Sequence, residues 1–144
     1  MIVNLTNKRY ISRNPFLAMS FYDRMRGMIG RRFHITGFDA MIFTGCNAIH
    51  TCFMTQKIDV IFLDSENTVV ALRKNLARWL LLVRCSKAVT TIELPAGVIE
   101  HSETKIGDVI NISEEVVAGL STQVAKKNVV QEMESVIPFN ESEK

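Results

Sequence analysis

A chain of 144 residues with 47% hydrophobic and 22% charged side chains has the size and balance of one globular domain, able to bury roughly two-thirds of its unfolded surface. Its three cysteines cannot all pair, which argues against a disulfide-stapled extracellular scaffold and for free thiols in a reducing, cytoplasmic setting. The net charge of +2 hides an imbalance: residues 1–37 hold seven Lys and Arg against Asp23 alone, and residues 113–144 hold three Lys against six Glu, yet the aromatic interleaving of a single-strand binder is weak, so nucleic acid is not the expected partner.

The N-terminus lacks the apolar run of a signal peptide, and the late apolar run at 79–83 is too short to span a bilayer, so neither export nor membrane insertion is expected. Residues 2–5 and 9–12 flank Thr6-Asn7-Lys8 and predict a short hairpin. From Asn14-Pro15 onward, Phe16, Met19, Tyr22, Met25 and Ile29 recur at helical spacing, predicting a helix over about 15–27 that Gly27 and Gly30 end. Arg24, Arg26, Arg31 and Arg32 crowd its C-terminal end, where cations complement the helix dipole.

After Gly37 short apolar runs alternate with turn residues, predicting strands at 39–43, 47–54, 58–63, 68–74, 87–94 and 108–112. The expected class is therefore mainly β, a compact barrel-like or sandwich-like antiparallel fold with one or two short helices. Segment 58–63 is apolar except for Asp59 and suits a strand buried on both faces, with a turn at Ser65-Glu66-Asn67 leading into its partner. Pro95 stops a strand and can open a short helix at 96–102, and Gly107-Asp108 turns into the last strand. Residues 1–113 thus read as one domain and 114–144 as an appendage whose apolar residues allow a helix, weakened by Gly119 and many β-branched side chains.

The densest chemistry lies at 46–54. If that stretch is extended, Cys46, Ala48, His50, Cys52 and Met54 share one face. Thiolate, imidazole and thioether suit a soft or borderline metal ion, but Cys46 and His50 would lie about 13 Å apart along a strand, and buried Cys and Met are ordinary core, so no metal or other cofactor is expected. A Cys46 or Cys52 thiolate with His50 as base and Asp59 orienting it is the enzymatic alternative. Asp59 inside an apolar strand must find a partner, for which Arg24 or Arg26 is the expected choice.

The elements Arg24-x-Arg26-Gly27-Met28-Ile29-Gly30, Ile49-His50-Thr51-x-Phe53-Met54, the run at 58–64, the run at 93–97 and Gly107-Asp108 occur in one order over about residues 5–113. In these the chain resembles domain-of-unknown-function family 192 of bacteria and archaea. The resemblance implies a compact, mainly β fold with a short helix or two and supplies no agreed activity, cofactor or catalytic residue. Where that family commonly has Arg and Pro after the Met54 position this chain has Thr55-Gln56-Lys57, and Arg78 precedes Trp79 in place of a Pro. The reading with most support is a non-catalytic β domain that binds a small ligand or a protein partner, with room for a homo-oligomer. Its candidate site region is Arg24, Arg26, Cys46, His50, Thr51, Met54 and Asp59.

Overall fold

The computed structural model describes residues 1–113; the predicted appendage at 114–144 lies outside the described residues. Strands β1 (Ile2–Asn4) and β2 (Arg9–Ser12) form the expected N-terminal hairpin. The turn is held by Asn4, whose side-chain oxygen accepts from the backbone N–H of Thr6 and Asn7 at 3.0 and 3.3 Å. The last strand, β10 (Ile110–Ile112), pairs antiparallel with β1, so both ends of the described chain close one three-stranded sheet.

The helix predicted over 15–27 is divided. Its first part is strand β3 (Pro15–Leu17), and only Phe21–Arg26 is helical, as α1. One distant carboxylate and one local cap decide this. The Asp39 carboxylate accepts from the Ser12 hydroxyl and from the backbone N–H of Arg13 and Asn14, holding the chain extended where the helix was to begin. Ser20 then accepts from the Asp23 N–H at 2.9 Å, an N-cap that starts the helix at Phe21 rather than at Pro15. A further short helix, α2 (Phe33–Thr36), follows before Gly37 turns the chain in the left-handed region.

Strands β4 (Ala40–Thr44), β6 (Ile58–Leu63), β7 (Val69–Leu76) and β9 (Thr90–Pro95) join β3 in a five-stranded sheet of order β3-β4-β9-β6-β7. β6 is buried at all six positions, as its apolar run requires. The β3–β4 pair is parallel, so this sheet is mixed rather than antiparallel throughout, and the described sheets form no closed barrel. The β6–β7 turn is tied by Asp64, whose carboxylate accepts from the N–H of Glu66 and Thr68, both at 2.9 Å. Helix α3 (Val98–His101) follows Pro95, close to where that proline placed it.

The stretch at 46–54 is not one long strand. Only β5 (Ala48–Ile49) is regular, paired with β8 (Val83–Arg84) in a small third sheet. Beyond it the chain turns, and Phe53 takes a φ of 60°. The core between these layers includes Met28, Met41, Phe43, Met54, Val60 and Phe62. No helix among the described residues is long and apolar enough to cross a membrane.

Candidate functional site

Alternation along β9 determines what faces the space beneath α1. Ile92 and Leu94 point one way, Thr91 and Glu93 the other. Glu93 lies in register between Met41 of β4 and Val60 of β6, both fully buried, so its side chain leaves the middle of the sheet between apolar neighbours. Thr91 on the same face donates its hydroxyl to the Cys46 carbonyl at 2.8 Å and fastens the 46–54 stretch over the sheet. The result is a cavity of about 280 Å³, walled by α1, Phe43, the 46–54 stretch and Glu93.

Three groups in this cavity carry chemistry. Glu93 is 2% exposed, and its Oε2 has no hydrogen-bond partner among the described residues. Burial alone pushes its carboxyl up to about 8, because a charge there would be stripped of water without compensation. The group is therefore a neutral O–H donor at neutral pH. His50, half-buried in the wall, likewise has an Nδ1 without a partner among the described residues. Cys46 also lines the space, with its thiol donating to the Ala48 carbonyl at 3.1 Å.

The arginines form the rim. Arg24 donates to the Thr44 carbonyl at 2.7 Å, and Arg26 reaches toward the Ile29 carbonyl at 3.5 Å. Both line the cavity, together with Gly27 at the end of α1. Gly27 is buried with a φ of 48°, and an added Cβ would stand 3.9 Å from the Phe43 ring, so the backbone strain rather than crowding favours glycine at this close turn.

Of the residues singled out from the sequence, Arg24, Arg26, Cys46, His50 and Met54 converge on this cavity, and Asp59 and Thr51 do not line it. Neither arginine pairs with Asp59. That carboxylate instead accepts from three backbone N–H groups, of Asn75 at 2.8 Å, Gly97 at 3.0 Å and Ile99 at 2.9 Å. It thereby satisfies donors at the start of α3 and fixes β7 to β6, a structural role that three short bonds explain without an ion pair. Thr51 is also a fastener: its hydroxyl donates to the Ala77 carbonyl at 2.8 Å and accepts from the Leu80 N–H at 2.9 Å. The Cys52 thiol turns to the Leu80 carbonyl at 3.4 Å, away from Cys46. Among the described residues no three His, Cys, Asp or Glu side chains converge as metal ligands.

Glu93 is the residue that sequence reasoning missed, because its strand position beside Pro95 drew attention to chain direction rather than to burial. The signal present was weaker than the one that marked Asp59: Glu93 is the sole charge of Thr90–Pro95 and sits between Ile92 and Leu94, but two threonines share that strand.

Residues 6–112 match the family model of domain-of-unknown-function family 192, described as "Uncharacterized ACR", and the chain belongs to that family. A UPF0127 protein of Thermococcus sibiricus is 38% identical over 119 residues, covering 77% of this chain and 73% of that one. A UPF0127 protein of Pyrococcus furiosus is 33% identical over 109 residues, covering 74% of this chain and 93% of its own. A protein of unknown function from Novosphingobium aromaticivorans superposes with a TM-score of 0.66 at 18% identity, over 77% of this chain and 82% of the other. A putative transcription regulator from Sinorhizobium meliloti superposes with a TM-score of 0.65, also at 18% identity, over 76% of this chain and 88% of the other. At that identity the two structures share the fold and nothing further is transferred from them.

Proposed function

We propose that this protein is a small-ligand binding module and that the cavity beneath α1 holds a compact molecule with an apolar body and a hydrogen-bond-accepting head. The observation that carries the reading is Glu93: a buried, neutral carboxyl whose Oε2 has no partner among the described residues, facing a cavity whose other walls include Phe43, Ile49 and Met54. Sites for small molecules combine largely apolar walls with a few converging polar groups, and about 280 Å³ is near the lower end of their usual size. A carbonyl or carboxylate head would accept from the Glu93 O–H, while Arg24 and Arg26 on the rim oppose a cationic one.

The test uses benzamide and benzylamine, probes of similar size with an accepting and a cationic head. In proton NMR at neutral pH, benzamide should shift the His50 ring resonances in a saturable way and benzylamine should not. Ala48→Leu, which places a larger side chain in the cavity wall, should weaken the benzamide response at least tenfold. Failure of benzamide to shift His50, or an Ala48→Leu variant that responds as strongly as the parent, would refute the assignment.

An enzymatic reading of the same site has one specific support. A carboxyl held near neutrality, beside an imidazole and a thiol, is suited to proton transfer in either direction. It would be carried by Glu93, His50 and Cys46, without Asp59, and turnover of a bound ligand would distinguish it from simple binding.

A further inference from the structure

Away from the cavity, the connection between β7 and β8 presents an unusual surface. Trp79, Leu81 and Leu82 are 59%, 85% and 67% exposed, and Phe53 beside them is 64% exposed. These are adjacent large apolar side chains rather than the isolated ones that any surface carries. The loop is also held in place: Thr51 bonds the backbone of Ala77, Trp79 and Leu80 through its hydroxyl, N–H and carbonyl. Phe53 and Trp79 meet edge to face at 5.1 Å, and both have left-handed backbones, with φ of 60° and 68°. Bulky side chains rarely adopt that region, so the backbone is strained in order to present two aromatics outward.

The chain on either side of this tip carries charge of one sign. Residues 67–92 contain no Asp or Glu, and Arg73, Lys74, Arg78, Arg84 and Lys87 are all exposed. None of the five takes part in an ion pair among the described residues. A Trp-Leu-Leu-Leu tip set among unpaired cations is complementary to an anionic bilayer surface, where the apolar side chains enter the interface and the cations meet lipid phosphates and carboxylates. A protein partner would have to supply an acidic rim around an apolar socket. A second copy of this chain would bring its own five cations against these five.

We propose that the loop Trp79-Leu80-Leu81-Leu82, with Phe53 and the surrounding cations, docks the protein peripherally on an anionic lipid bilayer without spanning it. This inference does not depend on the ligand cavity. Trp79 is the single tryptophan of the chain, so its emission reports the contact directly. The full chain is mixed with phosphatidylcholine vesicles, with or without phosphatidylserine, and read by flotation and by tryptophan fluorescence. Binding and a blue shift are expected only with phosphatidylserine, weakening as salt is raised. Replacing both Leu81 and Leu82 by Ser, at positions whose exposure spares the core, should abolish flotation. Lys74→Gln and Arg78→Gln should each weaken binding about fivefold, the factor for one cation at such a surface. Absence of flotation and of a blue shift would overturn the proposal. So would equal, salt-independent binding to pure phosphatidylcholine, or a self-associated protein that Leu81→Ser with Leu82→Ser converts to monomer while vesicles are ignored.

Discussion

Replacing Glu93 by Gln should stabilise the protein at neutral pH, by an amount that follows from the carboxyl's surroundings. In the unfolded chain Glu93 ionises near its ordinary value of 4.5, whereas in the folded protein desolvation holds the proton until about 8. Between those values the native state carries one more proton than the unfolded state, so stability falls as pH rises, by about 1.4 kcal/mol for each pH unit. At pH 7 the native state is thereby weakened by about 3 kcal/mol, and the full loss, reached near pH 8, is about 5 kcal/mol. Gln has nearly the same shape and the same buried, partly unsatisfied polarity but no proton to release, so the variant escapes only the pH-dependent part. Urea unfolding of the two proteins across pH 4 to 9 isolates this, because all other titrating groups cancel in the difference. The variant's advantage should be near zero at the acid end, grow through neutrality and level off above about pH 8. A pH-independent difference, or a variant that becomes relatively weaker as pH rises, would show that Glu93 is not held neutral in the fold.

Two other substitutions examine the fastening residues. Asp59→Asn removes the charge that three backbone N–H groups share and turns an amide donor toward some of them, so unfolding free energy should drop by about 3 kcal/mol; an unchanged urea midpoint would mean that these bonds contribute nothing to stability. Thr51→Val keeps the shape but loses the bonds to Ala77 and Leu80, so a cost of about 2 kcal/mol and faster amide exchange at Leu80 are expected. Native-like protection at Leu80 in that variant would show that the loop is held by other contacts.

The local code was readable wherever the chain's own neighbours decide the outcome. The apolar run at β6, the Asn-containing turn before β2 and the Pro95 stop each specify structure within a few residues, and each appears where the sequence placed it. The helix signal at Pro15 failed because Asp39, more than twenty residues away, bonds the preceding backbone in an extended form. The stripe at 46–54 was half right. Cys46, Ala48, His50 and Met54 reach one cavity, but the chain bends after β5 and turns Cys52 elsewhere.

Contiguous chain was enough for the mainly β class, the family and the cluster of reactive side chains near one wall of the cavity, since hydrophobic period, turn residues and spaced motifs need no distant contact. The partner of each buried carboxylate depended on contacts between distant segments. Asp59 and Glu93 occupy neighbouring strands and look alike in the sequence, yet one meets three N–H groups and the other meets apolar side chains and a cavity. The difference arises because the ends of α3 and β7 fold back over Asp59, whereas the strands beside Glu93 offer it only Met41 and Val60.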